Sequence, residues 1–122
     1  MLWYNLWVKI IKPDKTQWQD KEGYSKKILY SKIDLDGVVF QQVKIKAGET
    51  AKSHHHKKQT EIFYFFNNNG YWVVNGERVE PKEGDILIIE PNDKHEVVNR
   101  SKSDYLYLAF KYNYEENDSY YE

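Results

Sequence analysis

Short runs of strand-forming residues follow one another along most of the chain and are separated by polar turns. In one such run, Gln41, Val43 and Ile45 occupy one face, and Gln42 and Lys44 occupy the other. A period of two is typical of a β-strand that buries one face. The chain contains about ten runs of this kind and no convincing helical pattern, which predicts an all-β fold, either a barrel or a double-sheet jelly roll.

The run EIFYFF begins at Glu61 and places this acidic residue in phase with two phenylalanines. If Glu61 faces the interior of the barrel, Phe63 and Phe65 face it as well. The other residues of the run then face outward: Ile62, Tyr64 and Phe66. Three large outward side chains are more than a solvated surface usually carries, so they indicate a covering sheet or a subunit interface. We therefore expect a homodimer.

Turn-forming residues divide the chain into three parts of one domain. These are an N-terminal strand or arm with a loop at residues 1–34, a barrel at 35–112 and an acidic tail at 113–122. Residues 13–25 are polar enough for a loop, and residues 26–33 predict a strand. The tail shows no periodicity, and we expect it to fray; the alternative is that its tyrosines pack on the outside of the barrel.

Two further segments carry local predictions. Asn75-Gly76 joins two short strand-forming runs and is the dipeptide favoured in two-residue type I′ hairpin turns. At the N-terminus, Trp3, Trp7 and Ile10 are equally suited to covering one end of the barrel and to contacting a second subunit.

Composition narrows the functional classes. The formal net charge is −1, which gives no indication of nucleic-acid binding or of a basic membrane-binding surface. The lack of cysteine excludes disulfides, thiolate nucleophiles and cysteine-ligated zinc. No apolar run approaches the roughly 20 residues of a membrane span, and the first residues lack the pattern of a signal peptide. We expect a cytoplasmic protein that binds neither nucleic acid nor membranes.

The histidines fall in two short stretches, one of which also carries an acidic residue. In a strand, His54 and His56 point to the same side and His55 to the opposite side, where we expect an ordinary exposed or interface residue. Glu61 and His95 each follow a polar turn, so both enter at strand ends. Three imidazoles and one carboxylate suit a single divalent transition metal: Fe, Mn, Ni, Co, Cu or Zn.

These two stretches resemble the two sequence motifs of the cupin superfamily. The first motif, usually written G-x5-H-x-H-x4-E-x6-G, is matched at Gly48, His54, His56 and Glu61. The second, G-x5-P-x-G-x2-H-x3-N, is matched at Gly84, His95 and Asn99. The resemblance covers residues 35–111 and implies a small single-domain cupin, a double-stranded β-helix or jelly-roll barrel. It places the four metal-ligand positions of the family at His54, His56, Glu61 and His95.

Three positions depart from the motifs. Asn68 stands at the closing glycine of the first motif. In the second, Glu90 and Asn92 replace the proline and the glycine, and the proline is displaced to Pro91. Asparagine tolerates a left-handed backbone better than most residues, so both turns remain possible. The four ligand positions are intact.

Strand alternation also predicts the side chains beside the metal. The expected lining residues are Gln41, Lys52, Phe63, Phe65, Val97 and Asn99. An aromatic, largely apolar cavity suits a small organic substrate. Lys52, two residues before His54, is the only lysine that we place on the inward face. No separate acid–base pair or activated nucleophile is recognisable, so catalytic residues beyond the ligands are not assigned.

The resemblance implies a metal-dependent enzyme that acts on a small organic molecule. A dioxygenase-like reaction is preferred, because open coordination positions admit O₂ and the predicted cavity wall is apolar. The first alternative is an isomerase or epimerase of a sugar or keto acid, in which Lys52 would bind a phosphate. A non-catalytic small-molecule-binding module is the second alternative, and a metal-free cupin with acid–base histidines is the third.

Overall fold

The computed structural model describes residues 2–4, 9–13, 16–32 and 37–121. In chain order, the strands of this part are β1 (Leu2–Tyr4), β2 (Lys9–Ile11), β3 (Gln19–Lys21), β4 (Tyr24–Lys32), β5 (Val38–Ile45), β6 (Thr50–His55), β7 (Thr60–Phe65), β8 (Tyr71–Val74), β9 (Glu77–Val79), β10 (Ile86–Ile89), β11 (His95–Val98), β12 (Tyr105–Tyr112) and β13 (Tyr120–Tyr121). The predicted all-β fold is confirmed. No helix among the described residues is long and apolar enough to cross a membrane.

Two antiparallel sheets form a jelly roll. One sheet has six strands in the order β10-β7-β12-β5-β4-β3, and the other has five in the order β13-β6-β11-β8-β9. Many neighbouring strands are distant in sequence: β6 pairs with β11, and β7 pairs with β12. The fold therefore brings the two histidine-bearing stretches into one sheet and sets Glu61, on β7, in the other.

Aromatic and β-branched side chains fill the space between the sheets. The buried core includes Ile45, Phe65, Trp72, Tyr105 and Ala109. The indole N–H of Trp72 donates a hydrogen bond to the Tyr105 hydroxyl at 3.1 Å, so two buried aromatic residues satisfy each other's polar ends. Phe63, Phe65, Trp72, Tyr105 and Tyr107 are the buried aromatic residues of this core.

The predicted faces of β7 are confirmed. Glu61, Phe63 and Phe65 are buried. The outward side chains are Ile62 at 36% exposure, Tyr64 at 43% and Phe66 at 39%. They belong to the outer face of the six-stranded sheet, and the interface proposed for them remains a prediction.

The loop predicted over residues 13–25 is wrong in its second half. Residues 19–21 form β3, and β4 already begins at Tyr24. All three residues of β3 are exposed, so this edge strand has no hydrophobic period for a sequence pattern to reveal. Gly23 makes the turn at φ +81°, and its lack of a Cβ lets the backbone of Thr50 approach closely.

The N-terminal segment forms a two-stranded unit. β1 and β2 pair with each other, with Trp3 opposite Ile10. Ile10 is 52% exposed. Trp7 and the side chain of Trp3 lie outside the described part of the chain, so their proposed role at an interface remains a prediction.

Two predictions about turns are confirmed by backbone angles. Asn75 and Gly76 have φ of +49° and +84°, as a type I′ turn requires. Asn92, which replaces the glycine of the second motif, has φ of +73°. Asparagine therefore supplies the left-handed conformation that glycine would supply.

The expectation that the C-terminal tail frays is wrong. Tyr120 and Tyr121 form β13 and pair with His55 and His54 of β6. Asp118 is buried at 6% exposure. A two-residue strand preceded by a polar loop has too little periodicity to be recognised in the sequence, and its order comes from contacts with β6 and the loop after it.

Candidate metal centre

The site lies between the two sheets at one end of the jelly roll. The pairing of β11 with β6 places His95 directly opposite His54. His56 follows the end of β6, and Glu61 reaches across from β7 in the facing sheet. The four predicted ligand residues therefore meet in space although they come from three separate strand ends.

A β-bulge in β6 decides which side chains face the site. Between the pairs His95–His54 and Val97–Ala51, β6 has one residue more than β11. The additional residue shifts the alternation, so Ala51 and His54 both line the cavity although they are three positions apart.

For this reason Lys52, predicted to face inward, does not line the cavity that contains Glu61; it lines a separate open cavity with His54 and Tyr121. The Lys52 side chain is 64% exposed, and its Nζ lies 2.9 Å from the Glu22 carboxylate. Strict alternation from His54 would place Lys52 inside, but the bulge turns it toward solvent.

The three imidazoles lie close together. The ring centroid of His54 is 4.9 Å from that of His56 and 4.2 Å from that of His95. The nitrogen atoms that each ring can offer to a metal lie within 4.8 Å of one another. His56 and His95 are buried at 5% and 2% exposure. The cluster is therefore compact and shielded from solvent.

Each imidazole is oriented by a backbone carbonyl at its Nδ1 atom. The contacts are His54 to Lys52 at 2.8 Å, His56 to Asp118 at 2.9 Å and His95 to Asp93 at 2.9 Å. A carbonyl oxygen can only accept a hydrogen bond, so Nδ1 carries the proton and Nε2 keeps a free lone pair. Contacts of this kind fix the tautomer and the ring orientation of metal-binding histidines.

The Glu61 carboxylate faces the histidine nitrogens. Its Oε1 lies 2.9 Å from Nε2 of His56 and 3.5 Å from Nε2 of His95. Within the described residues, neither Glu61 Oε1 nor His56 Nε2 has a hydrogen bond of suitable geometry. Buried polar atoms rarely lack partners in folded proteins. A cation between these two atoms would satisfy both.

Burial and neighbouring charges set the protonation states. Burial raises the pKa of Glu61, but the adjacent imidazoles of His56 and His95, together with the Lys111 ammonium, outweigh it and hold the pKa well below its usual value. Burial lowers the pKa of His54 to about 4, and repulsion from His95 adds to this effect. At neutral pH the site therefore offers an ionised carboxylate and a neutral imidazole, the forms that bind metals.

The residues present fit a divalent transition metal. His54, His56 and His95 form a cluster that could hold a metal ion, and their imidazole nitrogens suit several first-row metals. His55 is not part of the cluster. The His55 side chain points away from the site. Its ring stacks on the ring of Tyr120, with centroids 5.4 Å apart, so the C-terminal segment partly covers it.

A cavity of about 70 Å³ lies beside the histidine cluster, and we call it the metal cavity. Among the predicted lining residues, Gln41, Phe63 and Val97 line it. Phe65 and Asn99 do not: both are fully buried, and the Asn99 amide donates hydrogen bonds to the backbone carbonyls of Ile45 and Ser103. Alternation placed them on the correct face but could not show where the cavity ends and the core begins.

Sequence analysis missed eight further lining residues. They are Tyr24, Val43, Ala51, Trp72, Tyr107, Lys111, Ser119 and Tyr121. Tyr24 was hidden by the predicted loop and Tyr121 by the predicted frayed tail. Lys111 continues the inward alternation of Tyr107 and Ala109 on β12, a pattern that would have identified it.

The C-terminal segment forms one wall of the site. The Asp118 carboxylate accepts hydrogen bonds from three successive backbone amides: Lys57 at 3.0 Å, Lys58 at 3.0 Å and Gln59 at 3.1 Å. The carbonyl of the same residue holds His56 Nδ1. The Tyr121 ring packs on His54, with centroids 5.3 Å apart. The tail therefore orients one histidine and covers another.

The jelly roll and the histidine cluster between its sheets define a small barrel of the cupin type. The chain belongs to the Cupin domain family, whose profile matches residues 41–110. The family resemblance found in the two motifs is thereby confirmed. No curated protein matches the sequence.

Several solved structures share the fold. A predicted oxalate decarboxylase from Thermotoga maritima aligns with a TM-score of 0.74 at 20% identity, covering 84% of this chain and 97% of its own. KdgF from a Halomonas species aligns with a TM-score of 0.74 at 19% identity, covering 88% and 94%. Streptomyces Pac13, solved with uridine, aligns with a TM-score of 0.75 at 14% identity, covering 93% and 89%. Pac13 is described as a nucleoside dehydratase. At these identities the likeness shows the shared fold.

Proposed function

We propose that this cupin is a metal-dependent enzyme acting on a small organic molecule, with one divalent transition metal held by His54, His56, His95 and Glu61. The observation that carries the proposal is the meeting of three oriented Nε2 atoms with a buried, ionised carboxylate. When bound, the metal supplies Lewis acidity or, if it is redox-active, a site for O₂. Similarity in fold to cupin enzymes supports a catalytic role for this chain; it does not specify the reaction.

The remaining residues of the metal cavity bind and shield the substrate. Phe63, Trp72 and Tyr107 form an aromatic wall that excludes water from the reacting end of the substrate. Gln41 adds a polar side chain to the lining. A cavity of about 70 Å³ admits only a small group, so the rest of the substrate extends beyond it.

Within this class we prefer a dioxygenase-like reaction, because the wall beside the ligands is aromatic. An isomerase or epimerase is the alternative, and one observation favours it. Lys111 lines the metal cavity, so the positive charge that a phosphorylated or carboxylated substrate needs is present on the inner face. In the sequence analysis, only Lys52 was assigned this role for the isomerase alternative; Lys111 now takes that place in the metal cavity.

The test is elemental analysis of untagged protein, followed by reconstitution of chelator-treated protein with Fe(II) and Mn(II). We expect near one metal per chain. Oxygen uptake with a panel of small organic acids would support the dioxygenase, and interconversion of sugars or keto acids without oxygen uptake would support the isomerase. Failure to bind any metal after reconstitution would contradict the metal-dependent proposal.

Acid–base catalysis without a metal is a second candidate, favoured by the 2.9 Å approach of Glu61 to His56. A carboxylate beside an imidazole can move a proton between substrate positions. Turnover that persists after complete chelation would support this candidate. Saturable ligand binding with no turnover, in the presence of metal and O₂, would instead indicate a non-catalytic binding module.

A further inference from the structure

A second cavity adjoins the metal cavity along the inner face of the six-stranded sheet. It has a volume of about 210 Å³ and shares Gln41 and Lys111 with the metal cavity. Lys26 of β4 lines it as well, and Glu116 from the exposed tail stands among its lining residues. We call it the lysine cavity.

The sheet register shows that both lysines project inward. Lys111 on β12 lies opposite Glu61 on β7, and Lys26 on β4 lies opposite Val43 on β5. Residues that lie directly opposite each other in antiparallel strands share a face of the sheet. Because Glu61 and Val43 both line the metal cavity, Lys111 and Lys26 face the same interior.

Both ammonium groups lack a carboxylate partner. Within the described part of the chain, neither Lys26 nor Lys111 forms an ion pair, whereas the exposed Lys52 pairs with Glu22. Lys111 lies 5.2 Å from the centroid of the Tyr114 ring. Burial lowers the pKa of Lys26, and repulsion from Lys111 adds to this, so the two positive charges act on the same space.

A third polar group lies where the two cavities meet. Gln41 is 4% exposed, and its Oε1 has no hydrogen-bond partner among the described residues. A buried amide oxygen without a partner is costly, unless a bound ligand supplies the missing contact. Gln41 is thus placed to contact a molecule that spans both cavities.

We propose that Lys26 and Lys111 bind the anionic group of the substrate, which is a small organic anion carrying a carboxylate or a phosphate. The other polar end of this substrate passes Gln41 and reaches the metal cavity. Among the described residues, the carboxylates that line the two cavities are Glu61 and Glu116; a bound cation would occupy Glu61, and Glu116 lies on the exposed tail. The excess positive charge on this inner face then requires an anion. The metal end of this arrangement rests on the proposed function; the lysine site does not.

The test is titration calorimetry with two probe anions, malonate and inorganic phosphate, and with malonamide as the uncharged control. Metal-loaded and metal-free protein are both titrated. We expect at least one anion to bind and malonamide not to bind. Lys26→Met and Lys111→Met should each weaken anion binding by roughly tenfold or more, and Lys111→Arg should retain most of it.

Lys27→Met is the matched control, because Lys27 neighbours Lys26 on β4 and lies opposite Gln42, which points away from the cavities. It should change anion binding by no more than about twofold, as expected from net charge alone. Thermal unfolding of every variant shows whether the fold is retained, and metal content shows whether the ligand cluster is intact.

The outcomes separate this inference from the proposed function. Anion binding that depends on Lys26 and Lys111, without any metal uptake, supports the lysine site and rejects metal-dependent catalysis. Metal uptake with no anion binding, or with an equal loss in Lys27→Met, overturns the lysine site and leaves the metal centre standing. The stronger of the two probes identifies the anionic group as carboxylate or phosphate.

Discussion

At the residue scale, the chemistry of the site depends on how each imidazole is held. His54, His56 and His95 each direct Nδ1 to a backbone carbonyl, so Nε2 is the nitrogen that faces the centre. The adjacent His55 lies outside the cluster because the strand turns its side chain to the opposite face. Histidines that are adjacent in the sequence therefore differ in role: His54 and His56 belong to the cluster, and His55 does not.

Replacing His56 or His95 with Ala should lower the metal content from near one per chain to almost none, because each substitution removes one of the clustered nitrogens. His55→Ala is the matched control and should keep its metal. Elemental analysis of the purified variants measures the effect. If His55→Ala lost metal as readily as His56→Ala, the assignment of strand faces would be wrong.

At the scale of secondary-structure elements, the C-terminal segment completes the site. β13 extends the five-stranded sheet beside β6, and Asp118 fixes the loop that follows β6. Burial raises the pKa of Asp118, but the amides of Lys57, Lys58 and Gln59 outweigh it and lower the pKa. Asp118 is therefore ionised at neutral pH and holds the loop as a charged acceptor.

Asp118→Asn should destabilise the protein by roughly 1–3 kcal/mol at pH 7, because one acceptor oxygen becomes an N–H group that faces backbone amides. Urea unfolding measures this loss. Since the folded pKa of Asp118 is lowered, its contribution is complete above the unfolded value of about 3.9 and disappears as the pH falls through the folded value. The difference between parent and variant should therefore be constant from pH 7 to pH 5 and shrink in stronger acid.

Glu115→Gln is the control for this prediction. Glu115 is also a tail carboxylate, but its ion pair with Lys58 at 2.8 Å is about half exposed. Exposed pairs contribute roughly 0–1 kcal/mol, so this variant should unfold near the parent. An equal loss of stability in both variants would show that tail charge in general, and not the Asp118 contact, stabilises the loop.

At the scale of the whole molecule, the outer face of the six-stranded sheet is apolar and exposed. Its members are Phe40 at 36%, Ile62 at 36%, Tyr64 at 43%, Ile86 at 64%, Ile88 at 53% and Phe110 at 36%. The register places Ile62 between Ile88 and Phe110 on neighbouring strands, so the side chains form a continuous surface. Surfaces of this kind mark interaction sites.

We propose that this face joins two copies of the chain. Light scattering should give twice the mass of one chain, and the double substitution Ile86→Glu with Ile88→Glu should shift the protein to monomer by placing two charges on the most exposed part of this apolar face. Lys102→Glu, in the exposed loop before β12, should leave the dimer intact. A parent protein that is monomeric at all concentrations would contradict the proposal.

The sequence by itself determined the features that depend on local order. A two-residue period established the strands and the inward face of β7, and the Asn75-Gly76 turn follows from backbone preference. The motif spacing predicted membership of the cupin family and identified His54, His56 and His95 as the clustered histidines. These features survive because side-chain direction and turn type are set by nearest neighbours along the chain.

Only the tertiary structure decided how distant segments meet. The bulge in β6 is defined by the pairing of this strand with β11, and it turns the Lys52 side chain outward. The C-terminal end of β12 brings Lys111 to the metal cavity. The tail is ordered by Asp118 and by pairing with β6, contacts that span about half of the chain. Strand register, sheet closure and cavity boundaries arise from packing between residues remote in sequence, which no local pattern encodes.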